Sequence, residues 1–227
     1  MIHTTLVWAT PDAERMLVQI ARVSSPQNQA DMGTGPRLIR YLIRHHHWSP
    51  FEMVAACVLV EGVSRAITRQ MIRHRSFAFQ EFSTRYAAPA RIDCAPPVRV
   101  RAIGGSRQGG RAPTDVEEVE RAAEWAVMRD ELVDRAREVY DRGVALGVAK
   151  ECLRDVLPEG LTASRLYMQG TLRSWIHYFQ VRTSDDTQSE HRMVATAMLA
   201  ALRPAFPFVL GELFPRSPEE RHPELPL

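Results

Sequence analysis

The sequence contains few cysteines and almost no lysine. The three cysteines, Cys57, Cys94 and Cys152, form no Cys-x-x-Cys pair and leave one thiol over. This pattern excludes a disulfide framework and a zinc ribbon, and it favours a reducing, cytoplasmic compartment. Of the 29 lysine and arginine residues only Lys150 is a lysine, which excludes a site built from several amines. The cations are therefore arginines, which stay charged at any working pH.

A large excess of one charge and a long apolar stretch are also missing. The formal net charge is only +2, too balanced for a protein whose main work is coating nucleic acid or lipid headgroups. The longest purely apolar run, 53–60, is far shorter than the roughly 20 residues that span a bilayer. The first ten residues lack a basic start followed by an apolar stretch. We therefore expect neither a secretion signal nor membrane insertion.

Common cofactor and metal motifs are absent as well. The sequence has neither a Gly-x-Gly-x-x-Gly pattern nor a Walker loop, and GGSRQGG at 104–110 lacks the spacing and the flanking strand of both. Any nucleotide must therefore be held by arginine side chains and backbone amides. His45, His46 and His47 would point in three directions on a helix, and no second His/Cys cluster lies at zinc spacing. We expect no metal site.

The hydrophobic patterning predicts an α+β fold, a helix-rich single domain with a small antiparallel or mixed sheet. Ser49-Pro50-Phe51-Glu52 reads as a capping box that starts a helical turn, the apolar run 54–60 as a buried strand, and 77–86 as irregular or extended. We assign a catalytic domain to 1–203, with a Gly-rich loop at 102–113, and a loosely attached Pro-rich tail to 204–227. Helices are predicted at 11–23, 36–46, 64–75, 114–146, 148–157, 171–181 and 186–202.

The segment from Ile67 to Tyr86 is the most unusual part of the chain. On a helix Arg65, Arg69 and Arg73 form a stripe of like charge, which costs each neighbouring pair about 0.2–0.5 kcal/mol unless an anion or carboxylates compensate. The segment supplies donors, a carboxylate and a hydroxyl that suit a phosphate and an amide-like heterocycle edge. A solvated basic helix with local ion pairs is the alternative. The residues concerned are Gln70, Arg73, His74, Arg75, Glu81, Ser83 and Arg85.

Three further arginines lie in apolar surroundings. Arg154, Arg173 and Arg182 are each flanked by large hydrophobic residues. Because arginine is rarely buried without a partner, each is predicted to form an internal ion pair or to face an anionic ligand. Arg173 and His177 are four residues apart and share one face of their predicted helix.

Together these residues resemble the flavin-dependent thymidylate synthases. Arg73-His74-Arg75, seven residues and then Ser83 form the RHR-x7-S signature of that family. The match also includes Gln70 before the signature, Glu81 within it, and Arg85-Tyr86 after it. Further matches cover 21–25, 47–52, 154–158 and 173–182. Three positions depart from many members, which have His where Met53 stands, Asn where Gln80 stands and another His near Asp186.

The resemblance implies the fold of that family and a homotetramer whose active sites, shared between subunits, hold FAD with dUMP stacked on the flavin. It implies reductive methylation of dUMP to dTMP, with methylenetetrahydrofolate as carbon donor and NADPH as reductant, and no nucleic-acid partner. By the resemblance, FAD would contact Ser49, Arg73, His74, Arg75, Glu81, Arg173 and His177. The dUMP would be held by Gln70, Arg73, Glu81, Ser83, Arg85, Arg154 and Arg182.

The chemistry of the residues agrees with that family. Methylation of uracil at C5 needs electron density there, from a thiolate that adds at C6 or from stabilisation of the uracil anion. No cysteine lies in an activating setting such as a Cys-His pair, so the second route is favoured. We assign Arg182 as the catalytic residue, because a guanidinium facing the uracil oxygens stabilises the developing charge. Ser83 has no evident base beside it and is assigned to substrate binding.

Two alternatives remain at this point. A flavoenzyme that modifies C5 of dUMP differently, for example by hydroxymethylation, would show the same nucleotide and flavin contacts. An arginine-rich nucleic-acid-binding module is the rival from another class, supported only by the stripe of Arg65, Arg69 and Arg73.

Overall fold

The structure, a computed structural model, describes residues 2–89, 91–101 and 110–215. Its strands are β1 (His3–Ala9), β2 (Ala55–Ser64), β3 (Phe77–Glu81), β4 (Val100–Arg101), β5 (Gly110–Arg111) and β6 (Ala163–Thr171). Four of them form an antiparallel sheet in the order β1, β2, β6, β3, while β4 and β5 form a separate hairpin. The predicted α+β class with a small antiparallel sheet is confirmed.

Helices surround this sheet. They are α1 (Ala13–Ala21), α2 (Gly35–Arg44), α3 (Arg65–Met71), α4 (Val116–Ala145), α5 (Lys150–Leu153), α6 (Leu172–Arg182), α7 (Ser189–Leu202) and α8 (Pro207–Leu213). Short 3₁₀ helices occupy Pro26–Asn28, Ser49–Met53 and Arg154–Val156. The helix predicted at 148–157 is thus α5 followed by a 3₁₀ turn, and the one predicted at 64–75 already ends at Met71. Within the described residues, no helix combines the length and the apolar character needed to cross a membrane.

The core lies between the central strands and the helices that follow β6. Val58 and Val60 of β2 are fully buried, as are Trp175 and Tyr178 of α6 and Met198 of α7. A buried aromatic ring removes a large apolar area from water, so this layer contributes strongly to stability. The packing also fixes α6 against the sheet, which matters because α6 carries several of the predicted site residues.

Strand β6 was not predicted from the sequence, which assigned no element to the residues between the helices predicted at 148–157 and 171–181. In the structure Leu166 and Met168 are buried while Arg165 and Tyr167 point outward, the alternation of a strand with one covered face. β6 pairs with both β2 and β3. It therefore joins the predicted buried strand to the extended segment that begins at Phe77.

The chain after Pro204 is not loosely attached, so this prediction is wrong for the part that the structure describes. Phe206, Phe208 and Leu210 are fully buried, and α8 packs on the core. Prolines alternate with large apolar residues here because the short helix α8 starts at Pro207. At the first position of a helix the missing N–H of proline removes no intrahelical hydrogen bond. Residues 216–227 of the tail and 102–109 of the Gly-rich loop lie outside the described residues.

Glu14 connects α8 to the start of the chain. Its carboxylate accepts hydrogen bonds from the backbone N–H groups of Phe208 (3.2 Å) and Val209 (2.6 Å). Burial nevertheless raises the pKa of Glu14 to about 7, because the loss of solvation outweighs these two bonds. The folded protein therefore holds a proton that the unfolded chain releases, and this contribution to stability falls as the pH rises from 4.5 to about 7.

We expect Glu14→Gln to remove this pH dependence. Between pH 4.5 and 7 the wild type should lose about 3 kcal/mol of unfolding free energy relative to the variant, as measured by urea denaturation. The lowered pKa values of His74 and His191 act in the opposite direction, but they are common to both proteins and cancel in the difference. A difference that does not change with pH would contradict the assigned protonation of Glu14.

Candidate active site

The signature segment begins on α3, whose start is fixed by Ser64. The Ser64 Oγ accepts from the backbone N–H of Ile67, and the buried carboxylate of Glu190 accepts from both the N–H (2.8 Å) and the Oγ (2.9 Å) of Ser64. The helix ends at Met71, and the backbone N–H of His74 donates to the Met71 carbonyl (3.0 Å). The Arg-His-Arg triplet therefore lies in the turn after α3 and not on the helix.

The arginine stripe is partly neutralised by carboxylates. Arg69 pairs with Glu159 at 2.6 Å, and Arg65 lies 3.8 Å from Glu81. The side chain of Arg73 is exposed and has no hydrogen-bond or ion-pair partner in the part of the chain that the structure describes. Local ion pairs thus account for two members of the stripe, which removes most of the support for the nucleic-acid-binding alternative.

Arg182 and His74 meet at the end of α6. The Nε of Arg182 donates to Nε2 of His74 at 2.9 Å. Burial, with smaller contributions from the nearby charges of Arg182 and His177, lowers the pKa of His74 to about 4. The ring is therefore neutral, accepts at Nε2 and carries its proton at Nδ1. Among the described residues neither Nη of Arg182 has a hydrogen-bond or ion-pair partner, so the four N–H groups on these two nitrogens remain available to a ligand.

Gln70 lies beside this pair in a hydrogen-bonded network that the sequence did not reveal. Its Nε2 donates to Oε1 of Gln188 (2.7 Å), and its Oε1 lies 3.2 Å from Nδ1 of His191. Nε2 of His191 lies 3.1 Å from the hydroxyl of Tyr178. Neither His191 nor Tyr178 has a local sequence signal for this role. The packing of α7 against α6 brings His191 to Tyr178, and the position of the start of α7 beside α3 brings His191 to Gln70.

A groove of about 500 Å³ opens along the other face of α6. Arg173 and His177 line it together, which confirms that they share a face, and His46, Trp48, Glu52, Ser76, Ser174, Ile176 and Gln180 complete the lining. Its volume is within the range of ordinary ligand pockets, and it combines cationic and aromatic side chains.

The predicted capping box at the edge of this groove does not form. The segment Ser49–Met53 is a 3₁₀ helix as expected for a turn that starts with proline, but the structure shows no side-chain cap at its start. Glu52 turns instead toward α6, where it accepts from Arg173 (2.8 Å) and from Thr171 Oγ1 (2.8 Å). The charge-assisted pair outcompetes the local cap. Ser49 is exposed and does not line the groove.

Arg85 and Arg154 come together around Glu151. Arg85 lies 3.7 Å from the Glu151 carboxylate, and Arg154 donates from Nε to the Glu151 carbonyl at 3.2 Å. Lys150 ties the same two segments by donating to the carbonyl of Tyr86 (2.7 Å). Both arginines are exposed, so this pair of guanidinium groups can turn toward an anion. The backbone N–H of Arg85 donates to Ser83 Oγ at 3.3 Å.

Glu81 is the last residue of β3, and only one of its two carboxylate oxygens accepts hydrogen bonds from the described residues. Its Oε1 accepts from Thr68 (2.8 Å) and from Ser164 (2.7 Å), which fixes the side chain between α3 and β6. Its Oε2 has no hydrogen-bond partner in residues 2–89, 91–101 and 110–215. This oxygen can accept from a ligand. The exposed side chain of Arg75, in contrast, forms no hydrogen bond or ion pair among the residues that the structure describes.

The three cysteines are spread over the fold, with Cys57 buried, Cys94 half-buried and Cys152 exposed. All three cysteines are free, and burial raises the pKa of Cys57 and of Cys94. Because a thiol with a raised pKa is a poor nucleophile, Cys57 and Cys94 are not activated for nucleophilic attack. The described residues contain no group of His, Cys, Asp and Glu that could hold a metal ion.

Comparison with known proteins places this geometry in a family. The model for "Thymidylate synthase complementing protein" matches residues 5–208. A probable flavin-dependent thymidylate synthase of Paramecium bursaria Chlorella virus 1 is 40% identical over 201 residues, 88% of this chain and 90% of that protein. The flavin-dependent thymidylate synthase of a Synechocystis species is 39% identical over 201 residues, 88% of this chain and 89% of that protein.

Solved structures give the same result at the level of the fold. The UMP/dUMP methylase PolB from Streptomyces cacaoi, solved with 5-Br dUMP, has a TM-score of 0.78 and is 27% identical, with 94% of each chain covered. The family model and the two relatives agree over most of the sequence. This chain belongs to the flavin-dependent thymidylate synthase family.

Proposed function

We propose that the protein methylates dUMP to dTMP, with bound FAD, NADPH as reductant and methylenetetrahydrofolate as carbon donor. The observation that carries the proposal is the Arg182–His74 pair at 2.9 Å beside Gln70. A neutral imidazole holds the guanidinium in place without neutralising it, so its charge stays available to stabilise an anionic uracil.

The groove on α6 fits a flavin dinucleotide. Arg173 and His177 provide donors for phosphate or for a flavin oxygen, and Trp48 provides an aromatic surface. Bound FAD would carry electrons from the reductant to the transferred carbon. The family pattern adds Ser49, Arg75 and the other residues of the signature turn as contacts.

The nucleotide would lie between the groove and the remaining arginines. Arg85 and Arg154 suit its 5′-phosphate, because exposed guanidinium groups bind phosphate oxygens in pairs. Gln70, the free oxygen of Glu81 and Ser83 supply further polar contacts. Arg182 would stabilise the negative charge that develops on the pyrimidine, and no cysteine is needed as a nucleophile.

A homotetramer with shared active sites is part of the same proposal. The long helix α4 exposes Trp125, Met128 and Leu132, each more than half accessible, beside a groove of about 790 Å³ that also contains Pro96 and Pro97. A contiguous apolar surface of this kind is typical of a protein–protein contact, which supports the proposed assembly.

The three free cysteines support a cytoplasmic location as part of the proposal.

UMP is a second candidate substrate. The Streptomyces cacaoi enzyme, described as a UMP/dUMP methylase, has also been solved with 5-Br UMP, and that structure is 28% identical with a TM-score of 0.78. Activity on UMP at a rate comparable to that on dUMP would favour this candidate.

The flavin requirement gives the first test. Purified protein is expected to be yellow, or to become so on incubation with FAD, because the α6 groove holds the cofactor. The absorbance of the bound flavin should bleach anaerobically on addition of NADPH. An Arg173→Ala variant, which removes a groove cation, should bind FAD more weakly by roughly tenfold or more, the value of a charged hydrogen bond. Protein that stays colourless with excess FAD would overturn the proposal.

A further inference from the structure

Residues at the start of α7 hold α3 at both of its ends, at Ser64 and at Gln70. Gln188 accepts from Gln70, Glu190 accepts from Ser64, and His191 faces the Gln70 carbonyl oxygen. Glu190 and His191 are both buried, with His191 fully so. Gln70 itself is only half-buried. One side of its amide is therefore held from the protein interior while the other side is open to a ligand.

The directions of these bonds form a consistent chain. Because Gln70 Nε2 donates to Gln188, its Oε1 faces His191 and must accept from Nδ1–H. Burial lowers the pKa of His191 to about 3, with smaller effects of Arg182 and His74, so the ring is neutral and Nε2 is left as an acceptor for the hydroxyl of Tyr178. Both ring nitrogens of His191 are therefore used, and one N–H of Gln70 remains without a partner among the described residues.

We propose that His191 is a positioning residue that fixes the Gln70 amide so that its remaining N–H faces the pyrimidine of the bound nucleotide. This inference rests on the proposed function, because it takes Gln70 as a dUMP contact. An N–H presented in this way matches a carbonyl oxygen of the uracil and not its N3–H. Without His191 the amide would be held only through its bond to Gln188, so its orientation would be less restricted and binding would cost the free energy of ordering it.

Three substitutions at His191 separate positioning from simple packing. His191→Asn places an amide N–H where Nδ1 stands, so it can still donate to Gln70 but loses the hydrogen bond to Tyr178. His191→Gln places its amide near the position of Nε2, so it retains the hydrogen bond to Tyr178 but loses the one to Gln70. His191→Phe keeps the ring shape and loses both bonds. The comparison between Asn and Gln is the decisive one, because each leaves one partner unsatisfied and the stability costs are similar.

The experiment is titration of each FAD-loaded protein with dUMP by calorimetry, with urea denaturation as the measure of stability. We expect the dissociation constant for dUMP to be 3- to 10-fold larger in His191→Gln and His191→Phe, as expected for the loss of one hydrogen bond. His191→Asn should bind dUMP with near wild-type affinity. In a Gln70→Ala background, the three substitutions should no longer differ in dUMP affinity.

The outcomes separate the inference from the function on which it depends. A wild-type protein that binds FAD but not dUMP contradicts the proposed function. If the wild type binds dUMP and all three variants bind it equally well, or are all weakened in proportion to their loss of stability, His191 acts only in packing and the inference is overturned. If His191→Phe does not fold, the Asn and Gln variants still decide.

Discussion

Arg182→Ala is expected to retain FAD and to lose dTMP formation by roughly 100- to 1000-fold in kcat, about 3–4 kcal/mol in the barrier. Arg182 lies at the end of α6, away from the groove face of Arg173 and His177, so flavin binding should survive. Its two Nη groups are the donors available to the uracil anion. The measurement is dTMP formation at saturating dUMP, together with the flavin absorbance of the purified variant.

Arg182→Lys serves as the matched control for this prediction. A lysine keeps the positive charge but loses the planar pair of donors and the Nε–H that holds His74. We expect its activity to fall between those of the wild type and the alanine variant. In Arg182→Ala the pKa of His74 should rise by a modest amount, because burial and not the charge is the main cause of its lowering. Full activity in Arg182→Ala would show that the residue has another role.

The double substitution Arg85→Ala with Arg154→Ala should weaken dUMP binding on the order of 100-fold, as expected for losing about 3 kcal/mol of charge-assisted hydrogen bonds. Binding of deoxyuridine, which lacks the phosphate, should be unchanged. Both arginines converge on Glu151 and are exposed, so their removal leaves no buried partner unsatisfied.

Arg91→Ala is the control for the phosphate contacts. Arg91 is also exposed and also ion-paired, to Asp93 at 2.8 Å, but it belongs to no predicted contact. The variant should bind dUMP as the wild type does. Equal weakening of dUMP and deoxyuridine in the double variant would mean that the two arginines act on the fold, and would remove them from the phosphate site.

The helices of the site could be predicted because their signals are local. α6 follows from its apolar periodicity and from Thr171, whose hydroxyl accepts from Ser174 N–H at the helix start. The end of α3 could not, because Arg73 continues the polar pattern while the backbone turns after Met71 to lead into β3. β6 was missed because its partners, β2 and β3, are distant in sequence.

The same difference between local and long-range signals applies to the site residues. His74, Gln70 and Arg182 were predicted because they belong to sequence-local family motifs, and the structure brings them together. His191 and Gln188 were missed, because their role depends on packing between α7 and α3. Arg73, Arg75 and Ser49 are exposed, and their predicted contacts are with a ligand that the isolated chain does not contain, so they stay predictions.

The most direct measurement is the mass of the product formed from dUMP, methylenetetrahydrofolate and NADPH by the FAD-loaded protein. The account predicts dTMP, which requires all three substrates and is lost in Arg182→Ala, with no nucleotide attached covalently to the protein during turnover. A product heavier by one further oxygen, as in hydroxymethyl-dUMP, would show the related flavoenzyme instead. A covalent adduct between the nucleotide and a cysteine would contradict the central role given to arginine.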